Sequence, residues 1–335
     1  MDRTMPWLGS CPWLLNIVLP VWLMALVGAC ATESGEDAGP ATRQYEYRAC
    51  DASERVGGFR LLLEQPGAGE PYTTFSGWVE DAVDPELLAE STMSIGDCSL
   101  MVGSNNFCDP KCSADERCDV DGQCVPKPVR QNAGLVQVEG MVDGPLSIEP
   151  REGRFNYEGR GFTTYPGFQE GARIDLWTEG GTLVPMAFVA EGVAELSVQE
   201  SEVPLVEGEA AMVTWDPPAA SGRTRMLVDL NVTLHGGTGP RIECDTEDDG
   251  SLEIAAELVG ELLKVDYSGF PGITLKRQTS DAVEGPGGCV DLVVSSAIDR
   301  HPVQIEGLFS CSPSTGILCP DGMVCDLVRL QCYPE

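Results

Sequence analysis

The chain has 335 residues and carries 53 acidic against 21 basic side chains, a formal charge of −32. That balance excludes nucleic acid as a partner, because neutralising phosphates needs clustered lysine and arginine. It equally disfavours peripheral docking on anionic lipid, and it fits solubility at a crowded surface.

The first element is apolar. Trp7 to Ala29 contains only Ser10 and Asn16 as polar residues, and Pro12 and Pro20 interrupt it. It is long enough to span a bilayer, so an uncleaved anchor competes with a cleaved export signal. Its end reads Leu26-Val27-Gly28-Ala29-Cys30. This run resembles the lipobox of bacterial lipoproteins. The resemblance implies cleavage after Ala29 (a signal peptide over residues 1–29), acylation of Cys30 with chains such as palmitate, and anchoring at the outer membrane or cell surface. Each buried methylene adds roughly 0.8 kcal/mol, so several chains hold a protein stably. The n-region departs from the pattern, because Arg3 is its only base and Asp2 cancels it. Residues 30–44 are small, polar and acidic after Cys30, which suits a flexible tether.

Fourteen cysteines are present. Without Cys11 and Cys30, twelve remain, an even number that in an exported chain implies disulfides. Zinc is disfavoured, because no Cys-x-x-Cys occurs and His235 and His301 are the only histidines.

Residues 45–103 form a small β segment with strand-like runs at Tyr45 to Arg48, Phe59 to Leu63 and Tyr72 to Val79. Cys50 and Cys98 bracket it. Nearness and exclusion pair Cys50 with Cys98, and Cys244 with Cys289. Residues 104–128 hold Cys108, Cys112, Cys118 and Cys124; residues 309–335 hold Cys311, Cys319, Cys325 and Cys332. Both clusters read C-x5-C-D from their second cysteine and then Gln-Cys. Each is too short to own a core, so disulfides must hold it. The repeat resembles short cysteine-rich modules of myxobacterial surface lipoproteins. That resemblance implies first-to-third and second-to-fourth pairing: Cys108 with Cys118, Cys112 with Cys124, Cys311 with Cys325, and Cys319 with Cys332.

Residues 129–199 and 200–308 carry short alternating runs, among them Leu135 to Val138, Arg173 to Trp177, Ala211 to Trp215, Met226 to Leu234 and Val290 to Val294. Gly/Pro turns separate them. The fold class is therefore mainly β, with β-sandwich segments and two small disulfide-rich modules. Residues 200–308 look like an immunoglobulin-like sandwich, in architecture only. Residues 129–199 form a second unit or the first sheet of a larger one. One helix is expected, at Ile254 to Leu263.

Candidate chemistry is sparse. Asp245, Glu247 and Asp249 alternate as in the start of a calcium loop, which makes calcium the one candidate cofactor. A bidentate glutamate is due at position 12, where Ala256 stands, and no helix enters. An acidic β-turn is the simpler reading. Asp121-Gly122 suits a tight turn between half-cystines. His235 and His301 lack a nucleophile elbow. Trp177 and Trp215 are read as sandwich core in preference to a sugar platform. The expectation is a non-catalytic, lipid-anchored surface protein for binding or structural display, with a protein or glycan partner. The alternatives are a calcium- or glycan-dependent adhesin, and a hydrolase or protease inhibitor.

Overall fold

Alternation with period two carries most of this fold. Arg225–Asn231 alternates half-buried and buried residues along its whole length, and Tyr72–Val79 follows the same rule. The computed structural model describes residues 43–334 except 66–69, 86–87, 104–107, 160–163, 220–221, 233–238, 265–269 and 286. Cys30, the 1–29 signal and His235 lie outside the described residues.

The segment 45–103 supplies β1 (Arg55–Glu64), β2 (Tyr72–Val79), β3 (Ala89–Ile95) and β4 (Cys98–Gly103). The first cysteine module holds β5 (Glu116–Cys118) and β6 (Cys124–Pro126). Next come β7 (Val136–Glu139), β8 (Leu146–Ile148), β9 (Tyr157–Gly159), β10 (Arg173–Thr178) and β11 (Ala187–Glu191). Residues 200–308 give β12 (Val203–Leu205), β13 (Ala211–Thr214), β14 (Arg225–Asn231), β15 (Arg241–Glu247), β16 (Ser251–Ile254), α1 (Ala256–Leu262), β17 (Gly272–Gly285) and β18 (Gly288–Ile305). The last module holds β19 (Met323–Asp326) and β20 (Gln331–Pro334).

The protein is mainly β. A ten-stranded sheet runs β3-β4-β15-β14-β17-β18-β1-β2-β9, with β12 paired to β18; a four-stranded sheet runs β11-β10-β7-β8. The segments 45–103 and 200–308, separate in the sequence reading, thus share one sheet. The 45–103 strands occupy both of its flanks. A β segment of ~60 residues buries too little surface to stand alone. Of the strands of 200–308, β14, β15, β17 and β18 are the centre of this larger sheet, whereas β13 and β16 pair as a separate two-stranded sheet that shares a core with it.

Two apolar cores lie under the large sheet. In one, Phe59, Leu61 and Phe75 meet Ile174, Leu176 and Phe188 of the four-stranded sheet. Phe59 sits at its centre, with ring centroids of Phe75, Tyr157 and Phe188 at 6.2, 5.7 and 5.9 Å. Residues 129–199 therefore share a core with the large sheet. In the other, Val228, Leu230, Ile242 and Leu275 meet Val213 and Trp215 of β13 and its flank, and Leu258 and Leu262 of α1. A helix of seven residues is marginal alone, so this packing holds it.

Between the cores, alternation fails. Arg277, Gln278, Thr279, Ser280 and Asp281 are all buried, because chain covers both sides of β17. Arg277 Nη1 and Thr279 Oγ1 donate to the backbone oxygens of Glu195 and Glu191. β14 pairs β17 only as far as Gln278. Beyond it, residues 43–50 run along the vacated edge. The Arg48 N–H donates to the Ser280 carbonyl at 2.9 Å, the Gln278 amide donates to Tyr47 at 2.9 Å, and Arg43 and Arg48 both pair with buried Asp281. The strand read at Tyr45 to Arg48 is thus a docked segment without a ladder.

The twelve cysteines after Cys30 form six disulfides. Both modules close first-to-third and second-to-fourth, as the resemblance implies. In the first, Asp119 Oδ1 accepts from the N–H groups of Asp121 and Gln123, and Gly122 turns with φ 73°. The pairing by nearness is corrected. Cys50 joins Cys289, and Cys98 joins Cys244. The sheet decides this: β4 lies against β15 with Cys98 opposite Cys244, and β1 lies against β18 with Arg55 opposite Cys289.

Candidate functional site

The acidic run is split: Asp245 to Glu247 end β15, where the sequence suggests a turn, and Asp248 to Gly250 make the turn into β16. Two of its three outward carboxylates have donors. Asp245 accepts from Arg225 Nε at 2.8 Å, and Asp249 accepts from the Ser251 N–H at 3.3 Å. Glu247 is exposed on the same side as both. Asp248, between them, points inward and is 2% exposed. Its Oδ1 accepts from Trp215 Nε1 at 2.8 Å and Arg277 Nη2 at 3.1 Å. Its Oδ2 accepts from Thr224 Oγ1 at 2.8 Å and Arg277 Nε at 2.6 Å. Four donors fill the four lone-pair sites of a carboxylate. The turn is therefore built around a buried ion pair. Among the described residues, the trios of Cys, His, Asp or Glu close enough to share an ion are half-cystines, Cys108/Cys112/Cys124 and Cys311/Cys319/Cys332. We expect millimolar calcium to leave the thermal midpoint nearly unchanged. A site filled a hundredfold above its Kd would add about 2.7 kcal/mol, which is about 5 °C or more for a unit of this size. A rise that large, lost in Asp245→Ala/Asp249→Ala, would restore the calcium reading.

Trp215 is core, as expected, whereas Trp177 is half-buried on the outer side of the four-stranded sheet. His301 lies in β18, and its Nε2 has no hydrogen-bond partner.

The feature the sequence reading missed is a groove of about 580 Å³ on the outer face of the large sheet. Period two explains its lining. Met226, Val228 and Leu230 of β14 point into the core, so Leu227 and Asp229 point out. Register then sets Glu243 opposite Asp229 and Asp245 opposite Leu227 on β15, with Thr274 and Lys276 opposite them on β17. Ser99 and Met101 of β4 close the far wall.

Electrostatics in the groove are uneven. Arg241 spans Asp229 and Glu243 at 3.4 and 2.5 Å. Burial, reinforced by Glu243, still pushes the Asp229 carboxyl up against the pull of Arg241. On the other side, Arg55 and Arg60 share Asp291 at 3.0 and 2.6 Å. Gly58 makes room for that pair, because a Cβ there would lie 2.1 Å from Asp291 Oδ1. Lys276 stands between the two groups. Burial first, then the repulsion of Arg60 and Arg55, lowers its ammonium from 10.5 to about 8. Two groups of one groove are thus driven in opposite directions, each toward its neutral form. Such pairs mark binding and reaction sites.

Its sequence signal is slight. Lys276 follows Leu275, so alternation alone places it outward, but its neighbours come from strands up to 221 positions away, at Arg55. Compared with known proteins, the chain matches no family model and no curated protein sequence.

Proposed function

We propose that this chain is an exported, lipid-anchored bacterial surface protein without catalysis, whose β scaffold serves binding or display. The cysteine chemistry carries the reading. All twelve cysteines after Cys30 are spent in disulfides, which persist in oxidising compartments and not in a reducing cytosol. Cys30 stands outside that set, at the end of the lipobox-like run. Among the described residues no helix is long and apolar enough to cross a membrane. The anchor in this reading is the acylated Cys30, and the membrane is met through lipid.

The test is metabolic labelling with an alkyne-bearing palmitate. The native chain is expected to take label and to mature to a form starting at residue 30. Cys30→Ser is expected to stay unlabelled at precursor size. Equal maturation and membrane retention of the variant would overturn the lipoprotein reading. A glycan-binding adhesin is the second reading, favoured by the carboxylates and hydroxyls that line the groove on β4, β14, β15 and β17.

A further inference from the structure

Among the described residues, each arginine around the groove has a carboxylate, and Lys276 has none. Arg225 has Asp245, Arg241 has Asp229 and Glu243, and Arg55 and Arg60 have Asp291. Lys276 is half-buried, and among the described residues no carboxylate lies within 4.0 Å of its Nζ. In a chain with 53 acidic and 21 basic side chains, a sheltered lysine with no carboxylate is the exception. Uncompensated charge in a sheltered site costs stability unless something pairs with it. What is missing at Lys276 is one negative charge.

The rest of the groove defines what should carry that charge. Of its carboxylates, Asp245 has Arg225, Asp229 and Glu243 share Arg241, and Asp97 accepts from Thr246 Oγ1, so each already has a partner. They remain strong hydrogen-bond acceptors, and hydroxyl groups are the matching donors. Leu227 and Met101 add apolar patches for C–H faces. The volume lies within the ~300–1,000 Å³ typical of small-molecule sites.

We propose that this groove binds a hydroxylated carboxylate of the uronic-acid sugar class, with the ligand's carboxylate on Lys276 and its hydroxyls on Asp229, Glu243 and Asp245. The inference deepens the binding reading and is independent of the lipid anchor. Failure here leaves the labelling result untouched.

Calorimetric titration of the full chain with galacturonate, galactose and acetate tests it. Galacturonate is expected to bind at least tenfold more tightly than galactose, which lacks the charge, or acetate, which lacks the hydroxyls. Because only the ammonium form attracts the carboxylate, the Kd for galacturonate should rise about tenfold from pH 7 to pH 9, given a lysine that titrates at about 8. Asp97, Asp229, Glu243 and Asp245 face the groove, Arg55, Arg60 and Asp291 flank it, and Tyr47, raised by burial, lies at its edge. Lys276→Arg separates the lysine from all of these. It should keep the binding and lose the pH dependence over this range, whereas Lys276→Met should lose the binding. Equal affinity for galactose or acetate, no binding of galacturonate, or an unchanged Lys276→Met would each overturn the proposal.

Discussion

Asp248→Ala is expected to lower stability by about 3–5 kcal/mol, because it leaves the Arg277 guanidinium buried without a counter-charge. That is a large part of the ~5–15 kcal/mol a domain usually has. Arg277 is 1% exposed, and with Asp248 gone its remaining partners are backbone carbonyls of Glu195 and Asp216. Arg277→Met should cost a similar amount by orphaning Asp248. The double variant Asp248→Ala/Arg277→Met removes both charges, so its loss should fall well short of the sum. Urea unfolding of the four proteins measures this. Single losses below 1 kcal/mol, or losses that add, would show that the pair does not act as a unit.

The second large effect belongs to the longest-range disulfide. Cys50 and Cys289 are 239 positions apart. Closing such a loop removes much entropy from the unfolded chain, so Cys50→Ala/Cys289→Ala should cost about 2–5 kcal/mol. Residues 43–50 should also become open to protease, since only side-chain contacts and the Arg48 backbone bond would hold them. By contrast, removing Cys112–Cys124, with a separation of 12, should loosen its own module and spare the main transition. If both variants melt together, or neither does, the division between scaffold and module fails.

These expectations also show where the sequence is readable. Alternation locates β2, β7, β10 and β13 within a residue, because burial on one face imposes it directly, and finds β1 and β14 with one end displaced by four and three residues. The two cysteine modules are legible because their contacts are local. Strand order is not legible. Nothing in the period of Arg55–Glu64 says that it pairs with residues near 290, and so the pairing of Cys50 by nearness fails. Asp248 shows a signal that was present and not used. Ile242, Cys244, Thr246 and Asp248 are alternate residues, so continuing the inward face of β15 places Asp248 inside and leaves Asp245, Glu247 and Asp249 in water. The solitude of Lys276 is beyond such reasoning, because it depends on which strands flank β17.

The Cys50–Cys289 bridge also sets how the molecule bears load. A pull on residue 43 against the C-terminus passes through this bond directly into the start of β18. The residues between the two half-cystines, which are 239 positions apart, lie off the line of tension. Extended, they would span roughly 800 Å, and the covalent bond keeps that length in reserve. Under strain the chain lengthens only through the residues before Cys50 and those after Cys289. The sheet face carrying the groove, with β4, β14, β15 and β17 up to residue 285, stays inside the unstressed loop. The groove is thereby spared covalent extension, but β17 stays paired along its length to β18, which bears the load, so the force reaches the groove as the loss of a neighbouring strand and not as a pull on its own chain.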